Sequence, residues 1–99
     1  MSTPVILLVD DDPSIQRATA TLLRSRGYAV TMAGTGTEAL SLFDRDRPSL
    51  VILDLGLPDM DGTAVCRQLR ERADVPILVV SVRGEERSKV DALDAGADD

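Results

Sequence analysis

The chain has 99 residues, 43% of them hydrophobic but only one Phe, one Tyr and no Trp, so it can build one core of Val, Ile, Leu and Ala but not two. Its formal net charge of -6 disfavours binding to nucleic acid phosphates or to an anionic membrane. The N-terminus has no basic leader and no long apolar run, and the single cysteine, Cys66, excludes an internal disulfide; together these features predict a cytoplasmic protein that does not enter a membrane.

Short runs of branched apolar residues alternate with segments of helical periodicity. The runs predict strands at Val5–Val9, Ala29–Ala33, 50–53 and Ile77–Val80. Most are continuously apolar, which is typical of parallel strands that helices cover on both faces. The second run alternates around Thr31, so we expect that strand to lie nearer an edge.

Four helices are predicted from capping residues and apolar spacing. The first begins after Asp12 as N-cap, with Pro13 at the first helical position, and ends at Gly27. Its apolar stripe comprises Ile15, Ala18, Leu22 and Leu23. The second helix begins at Thr35 and stops ahead of Pro48. The third and fourth are expected at about 61–72 and 85–95.

Repeated strand-helix units with right-handed connections predict an open, doubly wound α/β fold with a parallel sheet. In the flavodoxin-like form of this fold the strand order is 2-1-3-4, and we expect residues 1–99 to form one domain. The chain stops at Asp99, where a fifth strand and a fifth helix are due. We therefore expect the domain to be incomplete at its C-terminus, with the fourth strand as a bare apolar edge.

Three carboxylates follow strands that are neighbours in this order. Asp10 and Asp11 come directly after the first strand, and Asp54 directly after the third. Ligands of open α/β sheets bind at the carboxyl ends of such strands, and clustered carboxylates repel one another unless a cation is present. Oxygen ligands without His or Cys favour Mg²⁺ or Mn²⁺. These residues therefore predict phosphoryl chemistry, with Asp54 as a nucleophile that forms an aspartyl phosphate.

Ser81 ends the fourth predicted strand, in the same crevice as the carboxylates. Its hydroxyl can donate a hydrogen bond to a phosphate oxygen, which would give this residue a reason to change position on phosphorylation. The sequence thus predicts a switch as well as a reaction.

Four segments carry a resemblance to a known family: VDDD at 9–12, VILDLGLPDMDG at 51–62, VS at 80–81 and ALDAGADD at 92–99. In these segments the chain resembles the receiver domain of two-component response regulators. It is most similar to the OmpR/PhoB class, and residues 81–99 lean toward the KdpE type. The resemblance implies phosphotransfer from a sensor histidine kinase to a module that is not a turnover enzyme.

The resemblance also implies a role for each matching residue of the site. Asp11 is implied as a direct ligand of Mg²⁺, Asp10 as a ligand through water, and Asp54 as the phosphoacceptor. Gly56 is implied to offer its backbone carbonyl to the metal, and Ser81 to be the switch hydroxyl.

Further implications concern partners. Lys89, Asp98 and Asp99 match positions that form ion pairs across a homodimer face made by the family's fourth helix, fifth strand and fifth helix. The lysine that pairs with the phosphoryl group and the aromatic switch residue are expected beyond Asp99, as is a DNA-binding domain that would make the protein a transcription regulator.

Simpler interpretations exist for several of these residues. Asp12 is better explained as a helix cap than as a ligand, and Asp59 and Asp61 as turn and cap residues. For Asp10 and Asp11 a plain turn is a weak explanation, because two further carboxylates in a row carry an electrostatic cost that capping does not require.

Other functions are also compatible with such a fold. A stand-alone receiver would act by binding another protein. A metal-dependent phosphatase with an aspartyl intermediate needs an acid two residues after the nucleophile, where this chain has Gly56. A flavodoxin-like nucleotide binder needs a Gly-rich fingerprint after the first strand, and this sequence has none there.

Overall fold

The structure, a computed structural model, describes residues 3–80. Strands and helices alternate along this part of the chain in the order β1 (Val5–Val9), α1 (Pro13–Ser25), β2 (Ala29–Ala33), α2 (Gly36–Asp46), β3 (Leu50–Asp54), α3 (Gly62–Arg72) and β4 (Ile77–Val80). The predicted strands are confirmed, with β3 one residue longer than expected. The helix predicted at 85–95 lies outside the described residues.

The four strands form one parallel sheet of order β2-β1-β3-β4. At the centre, Val9 of β1 is aligned with Ala33 of β2 on one side and with Leu53 of β3 on the other. This order confirms the flavodoxin-like, doubly wound prediction and places β2 at an edge. It also brings the carboxyl ends of β1 and β3 side by side.

The main core lies between one face of the sheet and the helices α2 and α3. Its largest fully buried side chain is Phe43 of α2, which is 1% exposed. The other buried members of this cluster are Leu7, Val9, Ala33, Ala39, Val51, Leu53, Val65, Cys66, Leu69, Val75 and Ile77. Cys66 is buried in this cluster, where it packs as a small hydrophobic residue.

The helix α1 packs on β1 and β2 with a face that the sequence did not predict. Ile15 and Leu22 are 37% and 57% exposed, and Ala18 is exposed as well, so most of the predicted apolar stripe lies away from the sheet. The less exposed residues of α1 are Gln16, Thr19, Ala20 and Leu23, spaced as one helical face. The apolar stripe therefore coincides with the sheet-facing side of α1 only at Leu23, and that side also carries the polar Gln16.

The N-terminus of α1 is capped by Asp12, as predicted. Its Oδ1 accepts hydrogen bonds from the amides of Ser14 at 2.9 Å and Ile15 at 3.3 Å. Gly27, just past the other end of the helix, has φ 92°, a conformation that glycine adopts without strain. The local sequence therefore sets both ends of α1.

Removal of this cap should destabilise the protein modestly. Asp12→Ala is expected to cost about 1 kcal/mol of unfolding free energy, because two helix amides lose their acceptor. Asp12→Asn retains an acceptor oxygen and should unfold at nearly the wild-type urea concentration. Equal losses in the two variants would show that charge, and not the hydrogen bonds, carries the effect.

Candidate functional site

Three carboxylates converge at the carboxyl ends of β1 and β3. Asp10 follows β1 directly, and Asp54 is the last residue of β3. One carboxylate oxygen from each of Asp10, Asp11 and Asp54 lies within 4.8 Å of the others. The structure thus brings together the three acidic residues that the sequence singled out, because the strand order makes β1 and β3 neighbours.

The three carboxylates differ in their surroundings. Asp10 is 8% exposed, whereas Asp54 is half-buried and Asp11 is exposed. Burial raises the pKa of Asp10, and the charges of Asp54 and Asp11 raise it further, while a hydrogen bond from the Asp12 amide at 2.9 Å acts in the opposite direction. Ionised Asp10 is therefore under an electrostatic cost that a bound cation would relieve.

The donor set fits a hard divalent cation. The cluster offers carboxylate oxygens only, the ligand type that Mg²⁺ and Mn²⁺ prefer. Burial of Asp10, and after it the charges of Asp54 and Asp11, raise the pKa of this carboxyl, so a cation at the cluster would stabilise its ionised form. The described residues thus form an acidic cluster that could hold a metal ion.

Gln16 anchors the turn that carries the acidic pair. Its Nε2 donates to the backbone oxygens of Asp10 at 3.2 Å and Ala33 at 3.1 Å, and the Asp10 amide also donates to the Ala33 oxygen, at 3.0 Å. These bonds fix the end of β1 against the end of β2. The sequence analysis did not identify Gln16. The signal that could have done so is its spacing, because it shares one helical face with Ala20 and Leu23 although it is polar.

Gly56 lies in the loop that follows β3. Its amide donates to Oδ1 of Asp54 at 3.3 Å, so residue 56 is held next to the Asp54 carboxylate. The loop closes at its base, where the Gly62 amide donates to the Leu55 oxygen at 3.4 Å. This closure brings the start of α3 back against the end of β3.

The loop after β3 contains two acidic residues, Asp59 and Asp61, and they cap different helices. Asp61 caps α3 locally, with its Oδ1 accepting from the Thr63 amide at 3.0 Å, as expected. Asp59 accepts from the Gly36 amide at 2.7 Å, and from the amide and hydroxyl of Thr37 at 3.0 and 2.8 Å. Asp59 is therefore more than the turn residue that the sequence suggested.

Hydrogen bonds from the backbone amides of Thr37 and Gly36 lower the pKa of Asp59 to about 2, from an ordinary value of 3.8. Because the folded-state pKa is the lower one, the ionised group stabilises the fold above about pH 4. That stabilisation is lost as the pH falls through about 2. At neutral pH the capping interaction is fully present.

The remaining predicted residues cannot be placed. Ser81, Lys89, Asp98 and Asp99 lie outside the described residues. Their assigned roles stay predictions.

Comparison with known proteins identifies the family. A profile described as "Response regulator receiver domain" matches residues 6–99, nearly the whole chain. The chain belongs to the response regulator receiver domain family. Receiver domains of this kind are signalling modules of two-component systems that interact with histidine kinases, and they are not enzymes of multiple turnover.

This receiver domain is similar to part of each of several longer regulators. It is 43% identical over 99 residues to the probable transcriptional regulator ycf27 of Porphyridium aerugineum, covering 100% of this chain and 41% of that protein. It is 46% identical over 94 residues to the sensory transduction protein RegX3 of Mycolicibacterium smegmatis, covering 95% of this chain and 41% of that protein. Both relatives are regulators of the OmpR/PhoB class, so that part of the resemblance is confirmed.

A solved structure supports the fold assignment of the receiver domain. The CheY-like response regulator receiver domain protein from Methanospirillum hungatei JF-1 superposes with a TM-score of 0.93 at 33% identity, covering 98% of this chain and 78% of that one. Within residues 3–80, no helix has the length and apolar character needed to cross a membrane. The finer likeness to the KdpE type stays a prediction.

Proposed function

We propose that this receiver domain accepts a phosphoryl group on Asp54 from a sensor histidine kinase, with a divalent cation held by Asp10, Asp11 and Asp54. The observation that carries the proposal is the convergence of one oxygen from each of these three carboxylates within 4.8 Å, at the edge of the sheet where α/β folds bind ligands. Membership of the receiver family supports the same chemistry.

Each residue of the site has a different proposed role in binding the cation. We propose that Asp11 and Asp54 bind the cation directly, that Asp10 acts through water, and that Gly56 contributes its backbone carbonyl. Asp10 is the most buried of the three carboxylates, which suits a residue that acts on the cation electrostatically without touching it. When bound, Mg²⁺ or Mn²⁺ supplies positive charge that reduces the repulsion between the carboxylates and an incoming phosphoryl group.

In the proposed transfer, an oxygen of the Asp54 carboxylate forms a new bond to phosphorus. The bond between phosphorus and the phosphohistidine nitrogen of the kinase breaks, and its electron pair returns to that nitrogen. Asp54 is half-buried, so it remains partly accessible to a donor. Water later hydrolyses the aspartyl phosphate and releases inorganic phosphate, so the domain returns to its starting state without turning over a separate substrate.

The proposed output is a conformational change that is passed to other parts of a regulator. We propose that Ser81 donates its hydroxyl to the phosphorylated residue, and that Lys89, Asp98 and Asp99 form ion pairs across a homodimer face. The curated relatives are more than twice as long as this chain, and one of them is named as a probable transcriptional regulator. Residues 1–99 are acidic, so DNA binding would then belong to an attached domain. We propose that the protein acts in the cytoplasm.

Intact-mass spectrometry after incubation with Mg²⁺ and a small acyl phosphate tests the proposal. We expect one added phosphoryl group on the wild type, and none on Asp54→Asn, because the amide cannot act as the nucleophile. Asp74→Asn is the matched control: it also removes one carboxylate, but from an exposed residue whose partner is Arg70, away from the acidic cluster. This control should be modified as fully as the wild type.

The alternatives predict different masses. An adduct that persists in Asp54→Asn would place the phosphoryl group on another residue and overturn the assignment. No adduct on the wild type would favour a receiver fold that acts only by binding a partner.

A further inference from the structure

We propose that Asp59 is a positioning residue: by capping α2 from the loop after β3, it holds that loop in place and so sets the affinity of the acidic cluster for a divalent cation. This inference rests on the proposed function, because it assumes that the cation is held by the cluster together with Gly56. It assigns to Asp59 a role that its place in a turn did not suggest.

The first support is the way in which the N-terminus of α2 is satisfied. Thr35 is the local N-cap, and its hydroxyl accepts from the Glu38 amide at 3.1 Å. The two preceding amides, those of Gly36 and Thr37, both donate to the Asp59 carboxylate. Two of the first three amides of the helix are thus capped from a loop more than twenty residues further along the chain, by a negative charge that also suits the helix dipole.

The second support is the close packing beside this cap. A Cβ atom at position 36 would overlap Cγ and Sδ of Met60, so the Met60 side chain packs into space that the glycine leaves open. Gly36 is buried in consequence. The hydrogen bonds of Asp59 and the packing of its neighbour Met60 therefore act on the same contact between the loop and the helix.

The third support is the position of Gly56 within the anchored loop. The loop is closed at its base between Leu55 and Gly62, and it is attached at its tip through Asp59. Gly56 lies between these two anchors, with its amide 3.3 Å from the Asp54 carboxylate. Release of the tip would leave the ends of β1 and β3 unchanged but would loosen residue 56.

This separation predicts a specific pattern of effects. Asp59→Ala should weaken Mg²⁺ binding by about tenfold, the lower end of what loss of an outer contact costs a metal site. Phosphorylation of Asp54 at saturating Mg²⁺ should stay near the wild-type rate, since Asp54 and its strand do not depend on the loop tip. If Asp59 contributed only to general stability, its removal would not weaken Mg²⁺ binding while leaving the rate at saturating Mg²⁺ unchanged.

Calorimetric titration with Mg²⁺, combined with amide hydrogen exchange, is the test. The matched control is Asp61→Ala, which removes a carboxylate cap and one charge from the same loop but releases only the local end of α3. Asp59→Ala should bind Mg²⁺ about tenfold more weakly than Asp61→Ala and should lose exchange protection at Gly36 and Thr37. If Asp59→Ala does not fold, Thr37→Val, which removes only the hydroxyl donor, should show a smaller weakening in the same direction.

The outcomes separate the two proposals. Equal Mg²⁺ affinity in Asp59→Ala and Asp61→Ala, with normal binding by the wild type, would overturn the positioning role and leave the proposed function standing. Absence of Mg²⁺ binding by the wild type would overturn the proposed function, and this inference with it.

Discussion

Replacement of Asp10 by Asn is expected to raise the unfolding temperature of the metal-free protein and to remove most of the stabilisation that Mg²⁺ gives the wild type. The buried carboxylate is disfavoured by desolvation and by the charges of Asp54 and Asp11, and the amide is neutral. The Asn side chain retains an oxygen that can accept from the Asp12 amide. The variant therefore loses the electrostatic cost without losing the local hydrogen bond.

The wild type should respond to the metal much more strongly. At a free Mg²⁺ concentration of about 100 times its dissociation constant, a site that exists only in the folded state stabilises the protein by about 2.7 kcal/mol. Thermal unfolding followed by circular dichroism, with and without Mg²⁺, measures both effects. Asp12→Asn is a suitable control, because it neutralises the neighbouring exposed carboxylate and preserves the cap of α1. A lower unfolding temperature for metal-free Asp10→Asn would contradict the electrostatic argument.

Gly62→Ala is expected to destabilise the protein by about 2 kcal/mol, in the range that overpacking usually costs. A Cβ atom at this position would lie 2.6 Å from Cα of Leu55 and 2.8 Å from its Cδ2. The first of these atoms belongs to the backbone directly after Asp54, so it cannot move without disturbing the site. The loss should occur even though alanine is about 1 kcal/mol better than glycine inside a helix.

Gly34→Ala is the matched control for this substitution. No heavy atom lies within 4 Å of a Cβ at position 34, and its φ is outside the region that only glycine tolerates. Urea unfolding should therefore give a wild-type midpoint for Gly34→Ala and a clearly lower one for Gly62→Ala. Equal midpoints would mean that Leu55 moves aside at little cost, and that the loop base is softer than its contacts indicate.

Much of the fold could be predicted from local patterns because the strands are almost wholly apolar and β1 is buried on both faces. Continuous apolar runs such as Val5–Val9 leave little doubt about strand bounds, and Asp12, Thr35 and Asp61 mark the starts of the three described helices. The convergence of Asp10, Asp11 and Asp54 needed one further assumption, the strand order. Once β1 and β3 are neighbours, their carboxyl ends meet.

The contacts that local patterns did not predict are those between distant segments. Periodicity alone favours burial of Ile15 and Leu22, but the face of α1 toward the sheet includes Gln16, whose amide satisfies two backbone carbonyls at strand ends. The cap of α2 by Asp59 is of the same kind, since its donors lie far from it in sequence. Helical spacing and turn rules describe neighbours along the chain, and neither contact is between such neighbours.

The central place of β1 in the sheet has a consequence for how the chain folds. Both of its partners, β2 and β3, come later in the sequence, and the parallel arrangement requires a complete helical crossover before each pairing can form. No two adjacent strands can therefore assemble early as a hairpin. The chain loses the entropy of closing long loops before strand pairing stabilises it. β1 can pair only after at least one crossover helix has been synthesised, so we expect the domain to fold slowly for its size.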